Sequence, residues 1–448
     1  MPVPRQPVVL LSVFARPKPV HWWNQFPAPL QEVASIRLLT SLGAGGVIYM
    51  TPIIFHQANF SASQVGQGLA ASALIGTVAR LLSGVLLDRG LRCSWPVRAA
   101  AVLAFIADLT LLRAHGFEGY LAGQLLIGIA AGLYFPAIEL AVPLSCAGFN
   151  SSRGYALARS ADALGVAMGA LIGAIFTAFG LIRAVYLVES VAVVLMLIVL
   201  SLRPLPDGRA ALLQLDTEGQ PTQARDPSTD GWRWLPPLLP VLAVSIVATG
   251  MIALMQSALP LDLVRGGLAR PALSDSWSGA LIALQLTLLV LLQWPVGNWV
   301  ARRSLSFGLG MGLTGFVLSA LLLASSALWS GGIVLICLAM VPLAFGIAAF
   351  LPTAAEAMVE ETPLQHRGLA MALFSQCFAI SATGAPLVAG ALLDQQGHGL
   401  LLWMLMAAIC LGMLPLLKAV RPRYTANLNA TPLETLSNVP STRTASLR

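Results

Sequence analysis

The chain has 448 residues, of which 57% are hydrophobic and 10% are charged, whereas soluble domains carry roughly 25% charged residues. This composition excludes a soluble globular protein, because so few charged side chains cannot cover the surface of several water-soluble domains. The net charge of +7 does not indicate a nucleic-acid partner, since the basic residues are spread over many short loops.

Apolar runs of about 20 residues, the length that a helix needs to cross roughly 30 Å of hydrocarbon, follow one another along the chain. The predicted spans are 33–55, 66–87, 96–114, 119–143, 155–179, 182–202, 235–258, 276–300, 304–328, 331–356, 368–393 and 399–419. An acidic segment rich in proline and glycine separates the sixth span from the seventh and is typical of a solvated linker.

The sequence therefore predicts an all-α membrane protein with twelve transmembrane helices in two six-helix bundles. The predicted parts are an N-terminal tail (1–32), an N-terminal bundle (33–202), a linker (203–234), a C-terminal bundle (235–420) and a C-terminal tail (421–448). Basic residues are retained on the cytoplasmic side of a membrane. Most of them lie in the tails and loops of one side, so we expect both termini in the cytoplasm, at an inner or plasma membrane.

The two halves of the chain repeat each other. Gly84 corresponds to Gly297, and Arg153 corresponds to Arg367, at offsets of 213 and 214 positions. Such matches at a nearly constant offset indicate a duplicated six-helix unit.

Residues 84–92 read Gly-Val-Leu-Leu-Asp-Arg-Gly-Leu-Arg. This segment resembles the signature between helices two and three of the major facilitator superfamily, and with the spans and the duplication the resemblance covers residues 33–420. It implies the two-bundle transporter fold, in which Asp88 holds the cytoplasmic helix ends together beside Arg89 and Arg92. Gly84 lets two helices approach closely. A simple basic turn on the cytoplasmic side is the alternative interpretation.

Further candidates for gating lie near the cytoplasmic ends of the spans. Glu360 and Arg367 resemble a pair that sugar-transporting branches of the superfamily place between helices ten and eleven, although a two-residue match assigns no sugar. Arg37, Glu139 and Glu356 are candidates for gating ion pairs or for snorkelling. Arg153 is the counterpart of Arg367 in the first half.

Ionisable side chains within the spans are the main candidates for function, because a charge at the bilayer centre costs about 2.5–3.5 kcal/mol. Arg80 lies about 12 Å along the helix from Asp88. Asp162 lies about 13–14 Å from Arg153, and Arg159 shares its helix face and can neutralise it.

In the duplication, Gln293 corresponds to Arg80 and Gln376 corresponds to Asp162. We predict that these four residues line the substrate path, with Arg80 as an anion contact and Asp162 as a candidate proton carrier. A buried Arg80–Asp162 pair with a purely structural role is the alternative. The weaker candidates for substrate contact are Tyr49, Tyr134, Gln256 and Gln285.

These residues predict a secondary transporter of a small polar or anionic solute, with the proton as a candidate coupling ion. A sensor or an assembly factor for pigment or protein with the same fold, but without transport, is the alternative. The five cysteines lie far apart, and no histidine, P-loop or nucleophile motif indicates an enzyme. We therefore expect no metal, cofactor or nucleic acid, a small-molecule substrate and the lipid bilayer as partners, and a monomer. Asp108 and Glu189 are assigned a mainly structural role.

Overall fold

The computed structural model describes residues 22–58, 60, 62–146, 148–205, 234–273 and 276–420. Within this part of the chain there are twelve long helices and no strand. They are α1 (Ala28–Gln57), α2 (Ala62–Asp88), α3 (Ser94–Arg113), α4 (Phe117–Leu144), α5 (Ser151–Ala178), α6 (Val185–Leu202), α7 (Leu235–Arg265), α8 (Ser276–Val300), α9 (Leu305–Ser326), α10 (Gly332–Glu361), α11 (Arg367–Gln396) and α12 (Leu400–Met413). The described helices supply twelve candidate membrane spans, which confirms the prediction of twelve crossings.

Several helices extend beyond the predicted spans. Helix α1 begins at Ala28 rather than at 33, and α10 continues to Glu361 rather than ending at 356. Hydropathy marks only the part of a helix that contacts hydrocarbon, whereas backbone hydrogen bonding continues through the polar residues that follow. Most of the two predicted tails and of the predicted linker lies outside the described residues.

The two halves of the chain pack in the same order. In the first half, α1 packs against α5 and α6, α2 packs against α4, and α3 packs against α4 and α6. In the second half, α7 packs against α11 and α12, α8 packs against α10, and α9 packs against α10 and α12. The chain therefore forms two pseudo-symmetric six-helix bundles, as its internal repeat predicts.

The bundles meet along two seams, α2 with α11 and α5 with α8. At the first seam, a Cβ atom added to Gly84 would lie 2.7 Å from the Cβ atom of Ala372. At the second seam, a Cβ atom added to Gly297 would lie 2.9 Å from that of Ala156. The two glycines that correspond in the duplication thus occupy corresponding places, where each lets two helices approach closely.

Aromatic residues before α1 contact both bundles. The ring centroid of Phe26 lies 5.6 Å from that of Phe149 in the first bundle and 5.4 Å from that of Trp294 on α8. The rings of Trp22 and Trp294 are 5.0 Å apart and nearly perpendicular. This arrangement of aromatic edges against faces is favourable, and it places a hydrophobic cover over the α5–α8 seam at its predicted cytoplasmic end.

Candidate functional site

The first seam is closed at the predicted cytoplasmic end by Asp88. Its carboxylate accepts hydrogen bonds from the backbone N–H groups of Gly368 and Leu369, at 2.8 and 3.0 Å. These N–H groups belong to the first turn of α11, where the helix dipole favours a negative charge. Asp88 therefore joins the end of α2 to the start of α11, which is the contact that the family resemblance implies.

The second seam is closed by different chemistry. Arg153 Nε donates to Asn298 Oδ1 at 2.9 Å, and the Ser151 hydroxyl donates to Glu356 Oε1 at 2.5 Å. Each bond joins α5 to a helix of the second bundle. The counterpart of Asp88 in the second half is Ala301, so a carboxylate bound to the first turn of a helix closes the first seam and has no equivalent on the second.

The remaining predicted gating residues lie at the periphery of this face. Arg89, Arg92 and Glu360 are exposed. Arg367 is half-buried, and its Nε donates to the carbonyl oxygen of Thr362 at 3.4 Å. Arg367 also lies beside Asp88 in a small pocket between α4 and the start of α11.

Deeper along the first seam, Arg80 and Gln376 lie at one junction of α2 and α11. Arg80 Nε donates to the Ser375 hydroxyl at 2.9 Å, and Gln376 Nε2 donates to the Thr77 hydroxyl at 2.8 Å. The side chain of Arg80 is 8% exposed. Arg80 Nη1 and Gln376 Oε1 are buried without a hydrogen-bond partner within 3.5 Å. Buried polar groups are normally paired, so the unpaired donor and acceptor at this junction are exceptions.

Asp162 does not pair with Arg80. It lies inside the first bundle, where it accepts hydrogen bonds from Arg37 Nε at 3.0 Å and from the Ser41 hydroxyl at 3.0 Å. Arg37 also pairs with Glu139 at 3.0 Å, and Arg159 lies 2.8 Å from Glu139 and 3.6 Å from Asp162. The result is a buried cluster of two guanidinium groups and two carboxylates without net charge.

The Arg159–Asp162 contact follows from the three-residue spacing, as predicted. Arg37 was a candidate for an ion pair, but its pairing with Asp162 was not predicted, because the two stand 125 positions apart and the facing surfaces of α1 and α5 are set by tertiary packing. The one available signal was an arginine within an apolar span. Arg37 is 1% exposed and belongs to this cluster rather than to the membrane surface.

A cavity of about 660 Å³ opens between the bundles, away from the closed face. It is lined by the later turns of α1 and α5 and by the earlier turns of α8, and among its lining residues only Tyr49 and Thr287 carry polar side chains. Tyr49 also lies against the side chain of Gln256 on α7. Neither Asp162 nor Arg80 is among the lining residues.

The other predicted substrate contacts are distributed over the fold. Gln293 on α8 is 1% exposed, and its Nε2 atom has no hydrogen-bond partner within 3.5 Å. Gln285 is half-buried on the same helix and does not line the large cavity. Tyr134 lines a second cavity of about 220 Å³ inside the first bundle. The eight predicted residues therefore do not form a single site; the structure brings Arg80 together with Gln376, and Tyr49 together with Gln256.

Comparison with known proteins places this architecture among solute carriers. A sequence model of the Major Facilitator Superfamily matches residues 33–269. The crystal structure of the human organic anion transporter MFSD10 (TETRAN) is similar with a TM-score of 0.67 and 16% identity, over 87% of this chain and 98% of that one. The proton:xylose symporter XylE has a TM-score of 0.70 and 14% identity, over 88% and 96%. A POT family transporter has a TM-score of 0.67 and 14% identity, over 88% and 97%. No curated protein matches the chain in sequence.

Proposed function

We propose that this chain, which belongs to the major facilitator superfamily, is a secondary active transporter that moves a small solute by alternating access. It is an integral, multi-pass membrane protein of a transporter family. The observation that carries the proposed mechanism is the one-sided closure of the two bundles. Hydrogen bonds join them at the predicted cytoplasmic face, and the 660 Å³ cavity separates them toward the opposite face.

Such an arrangement suits a rocking motion of one rigid bundle against the other. Breaking the bonds of Asp88 and Arg153 would open the closed face, and the helices around the cavity would approach each other. The positive-inside bias supports an orientation with both termini in the cytoplasm. In that orientation, this conformation faces outward.

The solute that fits is small, with a polar or anionic group and a substantial apolar surface. Arg80 Nη1 and Gln376 Oε1 supply unpaired donor and acceptor atoms at the α2–α11 junction, and a guanidinium suits an anion. The large cavity is lined almost entirely by apolar side chains, and its volume is typical of small-molecule sites. The similar structures named above include an organic anion transporter and a xylose symporter.

The first test is thermal unfolding of the purified protein with a panel of small organic anions, amphipathic carboxylates and sugars. A solute at a hundred times its Kd should stabilise the protein by about 2.7 kcal/mol. The stabilising compound is then assayed for flux in sealed proteoliposomes. We expect Arg80→Ala to abolish binding and flux. Asp162→Asn should abolish flux because it leaves the Arg37–Glu139–Arg159 cluster with an excess positive charge inside the first bundle.

The matched control is Arg113→Ala, which removes an exposed arginine from the end of α3 and should transport normally. Normal flux in the Arg80 and Asp162 variants would remove both residues from the mechanism. Binding without flux in the native protein would overturn the transport proposal in favour of a sensor with the same fold.

A further inference from the structure

Two carboxyl groups of the first bundle lie apart from both seams. Asp108 on α3 and Glu189 on α6 lie side by side where these two helices pack together. Asp108 is 1% exposed, and the Ser190 hydroxyl donates to its Oδ2 atom at 3.3 Å. An ionised carboxylate can only accept hydrogen bonds. Asp108 Oδ1 and Glu189 Oε2 are nevertheless buried without a hydrogen-bond donor within 3.5 Å.

No basic side chain forms an ion pair with either acid among the described residues. Arg183, just before α6, donates instead to the carbonyl oxygens of Leu112 and Ala114, both at 3.0 Å. The Tyr186 hydroxyl donates to Thr51 on α1 at 3.2 Å.

The described residues of the neighbouring helices α1 and α4 form no ion pair with Asp108 or Glu189 either. On the α1 side, the backbone of Gly43 approaches so closely that an added Cβ atom would lie 3.0 Å from Glu189 Cγ. On α4, the titratable neighbour is Tyr134, whose side chain borders the same cavity as Glu189. Two adjacent carboxylates without a counter-ion are costly to bury, so the surroundings favour a shared proton.

Glu189 borders the 220 Å³ cavity that α1, α3, α4 and α6 enclose. The polar residues that line this cavity also include Thr40 and Tyr134. Tyr134 is 7% exposed, and its hydroxyl has no hydrogen-bond partner within 3.5 Å. Because an unpaired buried hydroxyl on a cavity of this size is a site for water or another exchangeable ligand, the acid pair has a polar neighbour through which protons can be exchanged.

The acid pair differs in charge balance from Asp162. Asp162 and Glu139 are balanced by the guanidinium groups of Arg37 and Arg159. Adding a proton to Asp162 would leave that cluster with an excess positive charge. Adding a proton to the Asp108–Glu189 pair reduces an unbalanced negative charge.

We propose that Asp108 and Glu189 form a proton-binding site that exchanges through the 220 Å³ cavity, and that its proton, rather than one on Asp162, couples to solute movement. The coupling role rests on the proposed transport function. The proton-binding role does not, and the two are tested separately.

Infrared absorption of the purified protein tests proton occupancy. At neutral pH, the native protein and Asp394→Asn should show the carbonyl band of a protonated carboxyl group, since Asp394 is an exposed acid paired with Arg265. The double variant Asp108→Asn/Glu189→Gln should lose the band of one carboxyl group. Its amides can still hydrogen-bond to each other, so the fold is retained, as its circular dichroism should show. The absence of the band in the native protein, or its full intensity in the double variant, would overturn the proposal.

Flux in proteoliposomes tests coupling, with the solute found by the stabilisation screen. A pH difference of one unit should drive about tenfold accumulation in the native protein and in Asp394→Asn, if one proton moves with each solute. Glu189→Gln should let the solute equilibrate but reduce accumulation to onefold. Tenfold accumulation in Glu189→Gln would refute the coupling role while transport itself stands. If the native protein moves no solute, the transport function fails, and the infrared band alone decides the proton site.

Discussion

The corresponding helix pairs α1–α5 and α7–α11 pack alike but meet through different chemistry. In the first bundle, Arg37 on α1 holds Asp162 on α5 within a cluster of four charges. In the second bundle, the hydroxyl groups of Thr249 on α7 and Ser381 on α11 lie 2.8 Å apart, and no ion pair joins these two described helices beyond the exposed Arg265–Asp394 pair. The two halves therefore share the packing of this helix pair, whereas only the first half has buried ion pairs between the two helices.

The two bundles therefore contribute differently to the candidate site. The ion-paired α1–α5 contact makes the first bundle suited to hold the unpaired donor of Arg80 in place. The second bundle, whose buried ion pair Arg270–Asp262 lies at the far end of α7, supplies the amide of Gln376. Three substitutions measure how far this asymmetry reaches.

The largest effect is expected from Arg37→Met. It leaves the carboxylates of Glu139 and Asp162 with Arg159 as the remaining guanidinium of the cluster. Breaking a buried ion pair costs about 3–5 kcal/mol. The free energy of unfolding in mixed micelles measures this loss. The double variant Arg37→Met/Asp162→Asn should recover part of it. A loss below about 1 kcal/mol would show that the cluster is dispensable and that the two bundles are held alike.

A smaller effect is expected from Asp88→Ala, which acts on the seam rather than inside a bundle. Hydrogen bonds to a charged acceptor contribute about 1.5–3 kcal/mol, so the population of the opposite conformation should rise roughly 10- to 100-fold. Distances between spin labels at the exposed positions Arg89 and Arg302, at the ends of α2 and α8, report this opening. Glu118→Ala, at the opposite face, is the control and should leave the distances unchanged. An unchanged distribution in Asp88→Ala would show that the α5–α8 seam alone closes this face.

The smallest effect is expected from Thr249→Val. It removes one hydroxyl–hydroxyl bond, worth about 1 kcal/mol, while Ser381 keeps its bond to the carbonyl oxygen of Ile246 at 2.7 Å. The same unfolding measurement applies. A loss as large as that of Arg37→Met would contradict the comparison, because the neutral contact would then stabilise its bundle as strongly as the charged one.

The fold was largely predictable because lipid requires long apolar helices, and because the glycines of the repeat mark both seams. The depth of Arg80 followed from its distance to Asp88 along one helix, but its partner Ser375 did not, since the two stand 295 positions apart. The Arg159–Asp162 contact was local and therefore visible. The juxtaposition of Arg37 with Asp162, and of Asp108 with Glu189, depends on which helix faces meet, and a single sequence does not contain this information.

The aromatic residues before α1 give the protein an intrinsic optical reporter. Trp22 and Trp294 are in edge-to-face contact across the α5–α8 seam, with Phe26 between the two bundles. When the bundles part at that face, these indole rings must exchange a hydrophobic neighbour for water, and indole emission shifts with solvent exposure. Fluorescence of the native protein, compared with that of Trp294→Phe, would thus follow each turnover in real time without an added dye.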